Sequence, residues 1–168
     1  MTEKFKTLFF VKSSLISLYL ALTFPIPFIS SEKLKIFSII TFVFGLMLII
    51  NITNDYVDTC DKKISYKTSL ISKIFGKKNW EIFWKDIKFI KSLSTSQGSN
   101  VHYFISNQNE SFLVPQRVEN FERLVSIIED KTKLNIDKIS YISPLWTYKL
   151  LTFLSIFMII GEIIAFAI

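Results

Sequence analysis

The chain is poor in the residues from which reactive and metal-binding sites are built. Its 168 residues include one cysteine, Cys60, and one histidine, His102. A single cysteine excludes an intramolecular disulfide, which fits a reducing compartment. One histidine and one distant cysteine do not make a metal-ligand set. Nor does His102 have the nucleophile context that a Ser-His-Asp or Cys-His arrangement requires. Only four glycines occur, Gly45, Gly76, Gly98 and Gly161, and none falls in a phosphate-cradling G-x-x-x-x-G-K-[ST] or G-x-G-x-x-G pattern. Internal repeats, low-complexity tracts and Gly/Ser linkers are missing. These absences argue against an enzyme and leave no cofactor or metal expected.

Charge is also missing from long stretches. Residues 13–31 and 36–54 carry none, and residues 150–168 carry one acid, Glu162. A bilayer core about 30 Å thick takes roughly 20 apolar residues of helix to cross, and each stretch is 19 residues long. With 50% hydrophobic residues and a mean hydropathy of +0.39, the chain reads as a membrane protein with three transmembrane α-helices. The expected organisation is an N-terminal transmembrane helical hairpin over 1–54, a polar domain over 55–138, and a juxtamembrane segment with a C-terminal span over 139–168. A cleaved signal peptide is disfavoured, because no A-x-A-like site follows Phe24-Pro25-Ile26-Pro27-Phe28 and a second apolar run begins almost at once. Pro25 and Pro27 are expected to end the first helix, with a turn running to Lys33. Ser30 or Ser31 is expected to cap the second helix, and Glu32 suits its positive end.

Lysines flank the spans unequally. Lys4, Lys6 and Lys12 flank the first, Lys62, Lys63 and Lys67 follow the second, and Lys131, Lys133, Lys138 and Lys149 precede the third. The opposite side holds Lys33 and Lys35 alone. The positive-inside bias therefore predicts a cytoplasmic N-terminus and domain, with the C-terminus across the membrane. Residues 55–149 hold 15 Lys/Arg against 11 Asp/Glu. Beside a bilayer such an excess points to anionic head groups rather than to nucleic acid.

The polar middle reads as strands followed by one helix. Ile64-Ser65-Tyr66-Lys67-Thr68 alternates with period two. Trp80 to Ile90 alternates as well, with a phase slip near Asp86 that predicts a bulge or turn. Val101–Ile105 and Ser111–Val114 flank the polar loop Ser106-Asn107-Gln108-Asn109-Glu110, a hairpin signature. Val118, Phe121, Leu124, Val125 and Ile128 then recur on one face of an amphipathic helix predicted over about 117–131. The fold class is α+β, mostly β: an antiparallel sheet capped by one C-terminal helix.

The segment Trp84-Lys85-Asp86-Ile87-Lys88-Phe89-Ile90, the hairpin after it and Phe121-x-x-Leu124 resemble the PH-like domain of bacterial membrane proteins. With this span order, the chain is similar to an uncharacterised cyanobacterial group. It is more weakly similar to the photosystem I assembly-factor family, which has an N-terminal hairpin before a PH-like region and differs by the third span here. The resemblance covers roughly residues 55–134. It implies a curved sheet closed by a helix, a thylakoid or plasma membrane location, and an accessory role.

Lys62, Lys63, Lys67, Lys73, Lys77 and Lys78, with Ile74, Phe75 and Trp80 among them, form a candidate lipid-binding patch; the alternative is a solvated face that only sets topology. Lys12, Trp146, Tyr148 and Lys149 are candidate interface anchors. Glu162 is an intramembrane acid, which points either to ion transfer or, about 24 Å beyond Trp146 at 1.5 Å per residue, to the far head groups. None of the three spans holds a histidine to ligate chlorophyll or haem. Gly45 and Gly161 are candidates for close helix approach, and the loop 94–100 is a candidate recognition tip. The function expected is that of an accessory, assembly or scaffolding factor that grips another integral membrane protein. The alternatives are an anionic-lipid-binding module and a small channel or transporter subunit.

Overall fold

A computed structural model describes residues 2–96, 98–134, 139 and 141–168. Two compact units result, one from residues up to Leu8 and from Asn54 to Pro144, the other from Phe9–Thr53 and Leu145–Ile168. The expected domain end at Lys138 lies outside the described residues, as does Gln97 of the 94–100 loop.

The second unit consists of apolar helices: α1 (Phe9–Thr23), the single turn α2 (Ile26–Ile29), α3 (Glu32–Ile52) and α6 (Leu145–Ala167). Three stretches, Phe9–Ile29, Glu32–Ile52 and Leu145–Ala167, are long and apolar enough to cross a membrane. Pro25 does end α1, but the chain winds one more turn rather than running as a loop to Lys33. Pro27 sits in that turn's first residues, where its missing N–H costs nothing. The expected serine cap of α3 does not form. Ser31 occupies the N-cap position without a side-chain bond, while Ser30 Oγ donates to the Ile26 carbonyl and pairs with Ser38 Oγ at 2.6 Å.

Small residues form the α1 seam. Ser14, Ser17 and Ala21 are buried on one face of α1, Ser155 is buried on α6, and these two helices pack along each other. The serine hydroxyls bond to carbonyls of their own helix, so they present small, satisfied surfaces that let backbones approach. On the α3 side, the Tyr19 ring lies over Gly45, and its hydroxyl donates to the Phe42 carbonyl at 2.8 Å. A Cβ at position 45 would collide with the Tyr19 hydroxyl and approach its Cζ to 2.9 Å. Alanine gains about 1 kcal/mol of helix propensity over glycine, yet overpacking costs about 1–3 kcal/mol. Gly45→Ala is therefore expected to lower the melting temperature of the full chain in mild detergent. The same change in a Tyr19→Ala background is expected to be neutral or stabilising, and simple additivity of the two would contradict this contact.

The first unit holds two antiparallel sheets. In one, β1 (Glu3–Lys6), β2 (Tyr56–Thr59), β3 (Lys63–Lys67) and β4 (Trp80–Phe83) lie in that order, with the short helix α4 (Leu70–Ile74) between β3 and β4. In the other, β5 (Ile87–Ser94), β6 (Asn100–Ser106) and β7 (Ser111–Leu113) form a meander. The phase slip near Asp86 is a 3₁₀ turn, Trp84–Asp86, which carries the chain from one sheet to the other, and the register shifts again between Ile87 and Phe89. The amphipathic helix α5 runs Phe121–Thr132 and buries Phe121, Leu124 and Ile128. It starts later than its apolar spacing predicts, because Val118 is buried beside the β-bridge it makes with Thr7. Strand β1 went unread because Lys4 and Lys6 look like span-flanking charges; Phe5 between them is a core residue.

Candidate functional site

Chain entry and exit at the sheet unit are pinned to one another. Thr7, two residues before α1, donates its N–H and hydroxyl to the Asp55 carbonyl at 3.2 and 2.8 Å. Asp55 itself is buried, three residues after the end of α3. Its Oδ1 accepts the Ser69 N–H at 2.9 Å, and its Oδ2 accepts the Tyr66 hydroxyl at 2.9 Å and Lys77 Nζ at 2.8 Å. Burial pushes the carboxyl's pKa up, but the bonds from Lys77, Ser69 and Tyr66 together outweigh it and hold the pKa below the usual value. Burial and the adjacent Asp55 charge raise the Tyr66 hydroxyl, which stays a donor. Nothing local in the sequence around Asp55 announces this hub, since its partners come from β3, α4 and the segment after it.

The hub holds out a corner of the domain. Ser69 caps α4 by accepting the Ser72 N–H at 3.1 Å, and Thr68 donates its N–H and hydroxyl to Asn79 Oδ1 across the base. Gly76 closes the turn at φ +85°, with Lys77 N–H donating to the Ser72 carbonyl and Gly76 N–H to the Lys73 carbonyl. This is a Schellman closure, and the left-handed residue it needs is most cheaply glycine. On the corner so fixed, Leu70 is 75% exposed, Ile74 82% and Phe75 70%.

The six candidate lysines do not form one patch. Lys62 and Lys63 stand at the β2–β3 turn, whereas Lys67 pairs with Tyr56 at the hub end. Four residues of strand put Lys63 and Lys67 about 13 Å apart. Lys63 pairs with Glu81 at 2.8 Å and Lys77 with Asp55. Lys73 and Lys78 flank the exposed corner, and among the described residues no ion pair within 4.0 Å involves either.

The second exposed apolar surface is on the meander. Phe89, Lys91 and Leu93 of β5 stand opposite Ile105, Tyr103 and Val101, and Tyr103 opposes Leu113. Directly opposite residues share a face. Phe89, Leu93 and Leu113 are exposed on it and Ile105 is nearly covered, while Phe104 and His102 on the other face are buried. Apolar residues fall on both faces of these strands, so composition alone does not tell which face is covered. Beyond β5, the Thr95 N–H donates to the Ser99 carbonyl and Ser94 Oγ to Asn100 Oδ1, closing the turn expected to serve as a recognition tip.

The remaining candidates stand apart. His102 Nε2 is buried with no hydrogen-bond partner among the described residues, and burial pushes the imidazole's pKa below its ordinary value. Trp84 Nε1 donates to the Cys60 carbonyl. Among the described residues no group of three or more His, Cys, Asp or Glu is arranged to hold a metal. On the helices, Trp146 is exposed, Lys149 Nζ sits 4.9 Å from the Phe10 ring centroid, and Lys12 lies on α1 and Tyr148 on α6, both partly exposed. Glu162 lies near the end of α6, partly exposed, with Oε2 buried and unpartnered among the described residues.

No known family model matches the chain. Over 147 residues it is 27% identical to the uncharacterised protein slr0269 of Synechocystis sp. (strain ATCC 27184 / PCC 6803 / Kazusa), a match covering 84% of this chain and 74% of the relative. The cyanobacterial likeness read from the sequence is therefore present at this level of identity.

Proposed function

We propose that this protein is a non-enzymatic accessory or assembly factor that holds another integral membrane protein through a PH-like domain on the cytoplasmic side of a thylakoid or plasma membrane. One observation carries the reading: the outer face of β5–β6–β7 leaves Phe89, Leu93 and Leu113 uncovered around Lys91 and Tyr103. Exposed apolar side chains grouped around a tyrosine have the composition of a binding face, and Lys91 among them adds a single charge. Three helices able to cross a membrane confine such a face to the bilayer plane, where a partner in the same membrane meets it at high effective concentration. Lys91 at its centre favours a partner that brings an acidic or carbonyl acceptor. The lysine bias at the span ends supports the cytoplasmic placement.

The test compares the full chain with a Phe89→Ser/Leu93→Ser variant, both purified in mild detergent. The expected result is one membrane protein recovered in fixed proportion with the wild type and lost with the variant, while both give the same far-UV circular dichroism. Recovery of the wild-type chain alone, or a partner retained by the variant, would overturn the proposal.

A further inference from the structure

We propose that the α4 corner is a wedge that seats in the interface of an anionic bilayer, with Leu70, Ile74 and Phe75 at the acyl boundary and Lys73 and Lys78 at the phosphates. Three large apolar side chains of a short turn are 70–82% exposed on a corner that the Asp55 hub, the Ser69 cap and the Gly76 closure hold in place. A loop able to fold back would cover such residues against the domain. This one is built to keep them out, and the conformational cost of ordering it is met before any contact forms.

Charge identifies the occupant. From Lys62 to Trp80 the sequence holds six lysines and no acid. The Asp55 and Glu81 ion pairs engage Lys77 and Lys63, which leaves Lys73 and Lys78 beside the apolar residues to meet phosphate. Aliphatic and phenylalanine side chains with lysines around them are the composition of an interfacial membrane anchor. The chain also fixes reach. Ser69 bonds to Asp55, and Asp55 follows Ile52, the last residue of α3, by three residues. The residue that anchors the base of the corner is thus joined to a membrane-length helix by a link of only a few residues. The wedge therefore needs no separate recruitment to meet lipid.

The experiment uses the full chain in a Cys60→Ser background, with a nitroxide at Ile74→Cys and, separately, at the exposed hairpin residue Gln108→Cys. Both are reconstituted into phosphatidylcholine–phosphatidylglycerol vesicles and into phosphatidylcholine alone. In the anionic vesicles, the ratio of oxygen to nickel-chelate accessibility is expected to be several-fold higher at position 74 than at position 108. Adding Lys73→Gln and Lys78→Gln, which spare the Lys77 ion pair, is expected to lower the seated-to-free ratio by roughly fivefold per lysine. Aqueous accessibility at position 74 in every vesicle would overturn the proposal. Protection from oxygen and nickel chelate alike would also overturn it, because the corner would then be covered by protein.

Discussion

Asp55→Ala is expected to destabilise the sheet domain by about 3 kcal/mol, read as faster hydrogen exchange of the β2 and β3 amides in the full chain. The substitution leaves the Ser69 N–H and the largely buried Tyr66 hydroxyl without an acceptor, and hydrogen bonds to a charged group are worth about 1.5–3 kcal/mol each. Lys77→Ala is the informative contrast. Its ammonium is about half exposed, so water replaces the lost bond and the expected cost is about 1 kcal/mol or less. Equal losses in the two variants would contradict the hub. Acid should act the same way. The folded pKa of Asp55 lies below its unfolded value of about 3.9. Its stabilisation is thus fully present above that value and is lost as pH falls through the folded pKa. Acid unfolding is expected to be shallower in Asp55→Ala than in the wild type. Unchanged acid sensitivity would assign the loss to other carboxylates.

Trp84→Ala is expected to cost more, about 4 kcal/mol, as a lower urea midpoint for exchange protection across both sheets. Trp84 is buried in the 3₁₀ turn that joins the sheets and belongs to the same core cluster as Phe104, Leu124 and Ile128. Its backbone N–H donates to the Lys62 carbonyl at 3.0 Å and its indole N–H to the Cys60 carbonyl at 2.8 Å. One residue thus ties down the β2–β3 turn and sits in the 3₁₀ turn on which α5 packs. Trp84→Phe separates the two contributions. It keeps most of the ring volume and drops the indole bond, for an expected loss of about 1–2 kcal/mol. A phenylalanine variant as unstable as the alanine one would mean that the bond to Cys60, rather than the packing, holds the junction of the two sheets.

Strong local periodicity made several elements legible. The alternation at Ile64–Thr68 and the β-branched and aromatic run Val101–Ile105 gave β3 and β6, and the slip at Asp86 located the passage between sheets, though as a 3₁₀ turn. Helix α5 was legible by its stripe and misplaced at its start, because Val118 satisfies the same apolar spacing while lying at a β-bridge. Strand β1 was illegible: four residues are too few to show a period, and its partner β2 lies beyond three helices. The small-residue seam at Ser14, Ser17 and Ala21 stands at helical spacing, but serine and alanine among apolar residues do not by themselves single out a packed face.

The candidate site divides along the same line. Sequence placed lysines near Ile74 and Phe75 but treated six of them as equivalent. Whether a lysine faces phosphate or a buried carboxylate depends on a neighbour that sequence proximity does not reveal, as with Lys77 and Asp55, 22 positions apart.

By itself, then, the sequence determined the three membrane-length helices, because crossing a bilayer requires only length and missing charge, both local properties. It determined the strand-then-helix order of the domain for a similar reason, since each period is written over a few consecutive residues. Only the tertiary structure decided which apolar side chains remain uncovered on the α4 corner and the outer meander face, and which lysines are already neutralised. Burial and ion pairing are relations between residues distant in the chain, and no local pattern encodes them.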